Sequence, residues 1–409
     1  MGFTQGAKIT ADILNEIVNG LIASNVWHNV DTMWNTTDKT GNNARRVLAY
    51  GIAGGAGKGD TNLSADIIAG PTAKTILVDD STGFAINDKI IIGSGDTAEV
   101  RIVTGVAAGS VTFDAAVNTT HLIGESVKEL DLEIYLAMEI INQGSGLNYY
   151  HDGSQWRYAK GFRFVFSLSW DAAAHIYPVS NQSTLVPFEQ RYRYGVIADL
   201  GPTPIPPATP TNPGLMVTYW LWVEDNGNGF VIMGKPEPTG DDEQQSFVFI
   251  MERNPAKEYA DGYTNFFIYK CCNRWQMMYD GNNLPDSTMR DRAILRPFAY
   301  QWPDGGGKNA PGPGGANGAG VSFVPMPSYY AFKSTGNNKV YFVKPLVHDH
   351  AGQYSPIFQS NMFFLWSEGV GLIDGDVVSI EGTTTKFLCK AVESPGSASR
   401  LTYGIKYVA

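Results

Sequence analysis

Residues 51–61, GIAGGAGKGDT, hold the residue types that cradle a nucleotide phosphate: several glycines, a Gly-Lys pair and a nearby threonine. A phosphate-binding loop needs G-x-x-x-x-G-K-[ST]. That spacing wraps backbone N–H groups around the phosphates, sets the lysine on the β/γ-phosphates and puts the hydroxyl on Mg2+. Aligned on Gly57 and Lys58, the first glycine position is Ile52 and the hydroxyl position is Gly59. Both positions fail. The segment that follows, GDTNLSADIIAG, has no helical stripe to supply a dipole. The expectation is a flexible or assembly-ordered connector flanked by loop, with Lys58 facing solvent or a subunit contact.

The other reactive groups are sparse. Histidines stand at His28, His121, His151, His175, His348 and His350. His348 and His350 would share one face of a strand, a spacing that suits a metal pair, but no third ligand lies nearby and a polar strand end is the better reading. Asp374-Gly375-Asp376 looks like the start of a calcium loop, yet Val378 occupies the fifth position, so a turn entering a strand is expected. GDDEQQ at 240–245 reads as a solvated hairpin connection. Cys271, Cys272 and Cys389 lack a CxxC arrangement, and apolar strand surroundings favour buried, reduced thiols. No G-x-S-x-G nucleophile elbow occurs. Trp156, Trp170, Trp220, Trp222, Trp275, Trp302 and Trp366 could form a sugar-stacking platform, but core and interface positions suit them better. No catalytic residue, cofactor site or metal site is therefore assigned, and the chain does not read as an enzyme.

The elements that would position any site are mainly β. Only 17% of the 409 residues are charged and 12% are aromatic, while 45 glycines and 22 prolines imply many turns. The net charge of −10 and the absence of a basic cluster argue against nucleic acid. The N-terminus lacks the regions of a signal peptide, and no apolar run of membrane-spanning length occurs. ITADILNEIVNGLIAS is the clearest helix. Ile13, Leu14, Ile17, Val18, Leu21 and Ile22 form one stripe, Thr10 is the expected N-cap, and docking is on its own core or on a neighbouring subunit. LDLEIYLAMEIINQGSG predicts a second helix, with Leu132, Leu136 and Ile140 four apart and Gly144 as its stop.

Three regions follow: an amphipathic helix and loop-rich segment over 1–70, a small inserted β module over 71–128, and a main sandwich- or barrel-like antiparallel domain over 129–409. LMVTYWLWVEDNGNGFVIMGK is a strong hairpin signal. The main domain carries a Pro-rich arm at 201–214, with six prolines in fourteen residues, and a Gly/Pro-rich arm at 303–320. Long arms without periodicity suit assembly.

Two stretches carry a resemblance. Residues 75–127 contain GF-x-x-x-D-x-I-x-I-G followed by H-x-x-G-x-x-V, and residues 363–409 contain a DGD turn before strands ending in Y-x-I-K-Y. Both resemble structural proteins of tailed-bacteriophage virions, over about a quarter of the chain. The resemblance implies a virion component of tail, baseplate or neck, assembled in the host cytoplasm, whose partners are copies of itself and other virion proteins. It implies no cofactor and no membrane. Alternatives are an adhesin that binds a cell-surface glycan or receptor, and a head or neck decoration protein. Deleting 303–320 is expected to leave a folded monomer that no longer assembles into particles. Electron microscopy of particles made with the deletion checks this, and normal assembly would refute it.

Overall fold

The computed structural model describes residues 2–32, 45–141, 149–151, 156–167, 170–172, 174, 186–194, 216–236, 247–253, 266–272, 291–294, 321–323, 331–333, 339–342, 346–349, 356–366, 371–392 and 401–408. The N-terminal half runs β1 (Phe3–Ile9), α1 (Thr10–Ile22), β2 (Trp27–Thr32), β3 (Arg45–Ala53), β4 (Asp60–Asn62), β5 (Thr75–Leu77), β6 (Lys89–Ile92), β7 (Glu99–Ala107), β8 (Ser110–Phe113), β9 (Ser126–Ile141), β10 (Tyr149–His151), β11 (Trp156–Ser167) and β12 (Val186–Tyr194). The remainder runs β13 (Met216–Val223), β14 (Gly229–Pro236), β15 (Phe247–Arg253), β16 (Phe266–Cys272), β17 (Asp291–Ile294), β18 (Val321–Phe323), β19 (Ala331–Lys333), β20 (Val340–Phe342), β21 (Leu346–Asp349), β22 (Pro356–Gln359), β23 (Phe363–Trp366), β24 (Val377–Ser379), β25 (Lys386–Val392) and β26 (Leu401–Val408).

The chain is mainly β, and its strand pairings are antiparallel. One sheet has nine strands, in the order β1-β13-β14-β15-β16-β17-β18-β21-β22, and a second has eleven, built around β9. The hairpin expected from the Asn-Gly turn is present, with Val223 opposite Phe230. A four-stranded sheet, β23-β26-β25-β24, completes the C-terminal part.

The two large sheets and α1 enclose one core. From α1 come Ile13, Leu14, Ile17, Val18 and Leu21; from β9, Ile134, Leu136 and Met138; and from β13 to β15, Tyr219, Leu221, Phe230, Ile232 and Phe249. The helix thus docks on its own chain. Burying five large aliphatic side chains stabilises this seat by roughly 10 kcal/mol against the unfolded chain. Thr10 is the first helical residue and is itself buried; extended Ile9 stands at the N-cap position without a side-chain hydrogen bond. The capping reading fails because β1 leads straight into the helix, leaving no loop residue to turn its side chain back.

The second predicted helix is instead the outer part of β9. Residues four apart would share a face of a regular strand as well as a helical stripe, but the irregularity between Leu132 and Ile134 parts them: Leu132 packs against the second cluster and Leu136 lies in the main core. Alternation is present over Leu130–Ile134, where Asp131 is exposed, and is missing over residues 134–138, where both faces are buried. Ile134, Leu136 and Met138 enter the main core, while Tyr135 and Ala137 enter a second cluster with Val30, Val47, Ala49, Ile91, Val100 and Trp170. The loop expected over 35–70 is likewise interrupted by β3, whose residues 45–51 are all buried. A strand covered on both faces reads as an unbroken apolar run.

The segment from β4 to the start of β9 closes into a small barrel. β4 and β6 flank residues 126–129 of β9, and β6 pairs with β7, β7 with β8 and β8 with β5. β5 returns to the chain after β4 through a Leu63–Val78 bridge, with Ser64 N–H donating to Leu77 O at 2.9 Å and Asp79 N–H to Asn62 O at 3.0 Å. Closure leaves no open edge to pair with a foreign strand. Ile76, Phe84, Ile90, Ile92, Val103, Val111, Phe113 and Val127 fill the interior, and Leu63 and Ile67, ahead of residue 71, belong to the same core.

β9 therefore serves both units. Beyond the barrel it pairs with β3 and β11. At the junction Gly54 N–H donates to Glu129 O and Glu129 N–H donates to Gly59 O, both at 2.8 Å. The β3–β9 register slips at Gly51, which faces Leu132 while Tyr50 faces Ile134, so Glu133 is bulged out. The bulged carboxylate accepts the Arg253 guanidinium from β15, at 3.1 Å through Nε, and that guanidinium lies 4.6 Å from the Tyr50 ring centroid. A Cβ on Gly51 would sit 2.5 Å from Asp131 O. Gly51→Ala is expected to lose about 2 kcal/mol or more by spoiling this bulge. Urea denaturation checks it, and an unchanged midpoint would show that the bulge relaxes freely.

Candidate functional site

Glu99 and Arg101, two apart on β7, project to one face and are both buried. Arg101 donates to Glu99, to Val100 O at 2.8 Å and to Ala116 O at 2.9 Å. Glu99 also accepts the backbone N–H of Asn118 at 2.9 Å and of Thr119. His121, fully buried, sets Nε2 3.4 Å from Glu99 Oε1 and Nδ1 2.8 Å from Glu125 Oε2. Burial alone would raise the Glu99 carboxyl, but His121, the Arg101 charge and the two backbone donors hold it below the usual range. Burial alone would lower His121, but its contacts with Glu99 and Glu125 raise it. This cluster fixes the loop 114–125 to the barrel wall.

Above the cluster two loops are tied together. Ile67 and His121 exchange backbone hydrogen bonds at 2.9 and 3.0 Å. Ala69 N–H donates to Thr120 Oγ1, Ile123 N–H to Asp66 Oδ1 at 2.7 Å, Leu122 N–H to Glu125 Oε1 and Gly124 N–H to Leu63 O. On this frame Ile68, Leu122 and Ile123 stand outward, 68%, 56% and 63% exposed. Their exposure matches that of Ile52, Ile86 and Ile373 elsewhere on the chain, at 62%, 60% and 69%; what sets them apart is that two tied loops bring them onto one frame. The pattern was readable only as DII and HLIG inside loop composition, with nothing to say that the two segments meet.

The residues of the GF-x-x-x-D-x-I-x-I-G and H-x-x-G-x-x-V stretches build this barrel. Phe84, Ile90, Ile92 and Val127 are core residues. Asp88 caps the turn before β6 by accepting Ala85 N–H at 2.6 Å. Gly83 adopts a positive φ of 91° against the Gly59 backbone, and Gly93, at 75°, leaves room for His121 and Glu125.

The stretch 51–61 closes β3, turns at 54–59 and opens β4, so a strand rather than loop precedes the turn. Lys58 is half-buried and pairs with Glu129 at 3.2 Å, which takes it from solvent into the β9 junction. Its ammonium neutralises a carboxylate of its own chain. Asp374-Gly375-Asp376 is a turn into β24: Asp376 accepts Ile373 N–H at 2.8 Å and Asp374 pairs with Lys390 at 3.1 Å. Cys389 is buried and free, its thiol pushed up to about 12 by burial and the nearby Asp376 and Asp374. His348 lies on β21 opposite Ser322, and Cys271 and Cys272 lie on β16. His350, Trp275, Trp302, residues 240–245 and both arms, 201–214 and 303–320, lie outside the described residues. Three of the described tryptophans carry cations: Lys390 lies 4.1 Å from the Trp220 ring centroid, Lys406 5.1 Å from Trp222 and Arg45 4.9 Å from Trp170. Among the described residues, no group of three or more His, Cys, Asp and Glu could hold a metal ion, and no helix is long and apolar enough to cross a membrane.

No protein-family model matches this chain, and no curated protein or solved structure does.

Removing the charge of Glu99 while keeping its shape would leave Arg101 buried without its counterion. Glu99→Gln is expected to destabilise the barrel by about 3–5 kcal/mol. Thermal unfolding followed by circular dichroism measures this, and a loss below about 1 kcal/mol would mean that the cluster contributes little net energy.

Proposed function

We propose that the chain is a structural subunit of a tailed-phage particle, of tail or baseplate class, that acts by docking onto neighbouring copies of itself. The observation that carries the reading is the outward display of Ile68, Leu122 and Ile123 on two tied loops. A preformed apolar tip binds without first ordering its loops. Three side chains are far fewer than the roughly 20–30 residues a stable two-body interface uses on each side. The contact therefore belongs to an assembly in which many weak contacts are repeated and reinforce one another. The resemblance of 75–127 and 363–409 to tailed-phage virion proteins supports the same reading, and localisation to the virion follows from it. A glycan-binding role gains no support from Trp220, whose ring already carries the Lys390 ammonium.

The test is the triple variant Ile68→Ser, Leu122→Ser, Ile123→Ser. Exposed substitutions of this kind change stability by only about 0.5 kcal/mol each, so the fold is expected to survive. In sedimentation velocity the wild type is expected to associate as its concentration rises and the variant to remain monomeric. Identical concentration dependence of the two proteins would sink the proposal.

A further inference from the structure

We propose that His121, held as an imidazolium between Glu99 and Glu125, is a pH-operated clamp that fixes the loop bearing Leu122 and Ile123 and so controls the docking tip. This rests on the docking role proposed for that tip. The argument is geometric. Both ring nitrogens of the fully buried imidazole face a carboxylate oxygen: Nδ1 lies 2.8 Å from Glu125, whose side chain reaches partly to solvent, and Nε2 lies 3.4 Å from Glu99 as an ion-pair contact without hydrogen-bond geometry. A neutral imidazole has one N–H, so one of its nitrogens would turn a lone pair toward an anion; only the protonated ring suits both sides. Charge balance agrees. The groups bearing on His121 are Glu99 and Arg101 from β7 and Glu125 from its own loop, while Asp66 on the facing loop accepts Ile123 N–H. With His121 protonated, two carboxylates meet one guanidinium and one imidazolium. With it neutral, the cluster keeps an uncompensated negative charge, which burial penalises.

The sign follows from the raised folded-state value. The stabilisation by His121 is fully present below its ordinary pKa of about 6.5 and is lost as pH rises through the folded value. Glu99 keeps hold of Asn118 and Thr119 at either pH, so release is confined to the stretch that carries the aliphatic tip.

Hydrogen–deuterium exchange of the full chain at pH 6 and pH 9, corrected for the chemical exchange rate, reads the clamp directly. At low protein concentration this readout does not depend on association. Protection of the amides in 121–125 is expected to fall about tenfold or more between the two pH values, while those of Asn118 and Thr119, held by Glu99, keep theirs. In His121→Gln the step is expected to vanish. Glu125→Gln removes one carboxylate through a partly exposed side chain and is expected to shrink the step; it serves if the first variant does not fold. A wild-type loop equally protected at both pH values, or the same step in either folded variant, would overturn the clamp. Sedimentation of the wild type at both pH values tests the link to docking. Association that weakens at pH 9 supports it, and association unchanged across a clear exchange step overturns the control role. Absence of association at both values overturns the docking reading and the control role with it, and leaves the clamp standing on the exchange data.

Discussion

Strand β9 is the constraint on which the rest of the structure depends. Its first four residues close the barrel, and the following residues form a middle strand of the large sheet. It lies between two apolar clusters, with Ile134, Leu136 and Met138 on one side and Tyr135 and Ala137 on the other. A one-residue slip would exchange those faces, pushing a tyrosine into the main core and a leucine toward the barrel. The Gly51 bulge absorbs the register change where the strand passes from one unit to the other, and the bulged Glu133 is held by Arg253 from the opposite sheet. The aromatic cluster of Trp27, Tyr50 and Phe266, with ring centroids 5.1 to 5.7 Å apart, packs beside that ion pair and fixes the two sheets against each other.

Charge plays two different parts in this molecule. Inside the barrel, Glu99, Arg101 and His121 are almost fully enclosed, so their attraction is little screened and the loop they hold is fixed in position. Between the C-terminal sheet and the nine-stranded sheet, Lys390 and Lys406 lie on Trp220 and Trp222, and Lys406 also pairs with Glu224 at 2.7 Å. These contacts combine aliphatic stems, ring faces and ammonium groups at a partly wet boundary. The first arrangement gives rigidity, and the second joins two sheets that share no hydrogen-bonded strand pair among the described residues.

Much of the strand content was legible in the sequence wherever one face meets water or a turn residue is required. The hairpin of β13 and β14 declares itself through Glu224–Gly229, and the short barrel strands through their Gly and Asp turns. What misled was burial on two sides. In β3 and over residues 134–138 of β9 polar alternation is missing, so one read as loop and the other as helix. The Gly-Lys pair drew attention as a phosphate loop, whereas its lysine neutralises Glu129 at the junction. The exposed aliphatic tip was not legible, because its residues come from segments more than fifty positions apart that meet only when the barrel closes. His121 shows the same limit: a lone histidine in sequence becomes part of a charge cluster through Glu99, twenty-two residues earlier on the chain.

The two hydrogen bonds that tie Gly54 and Gly59 to Glu129 make the barrel a module of the large sheet. The chain leaves the large sheet and comes back to it at one corner, with Ala53 directly opposite Leu130. To the sheet, seventy-odd residues amount to the loop of a β3–β9 hairpin, and a two-residue turn could span the same gap. Such a cassette can be replaced without redrawing the host sheet. The restriction lies on the covering side: Val47, Ala49, Tyr135 and Ala137 would be bared to water, so any replacement must bring an apolar flank of its own. Replacement at this corner would then change the surface that the barrel displays while leaving the β3–β9 pairing untouched.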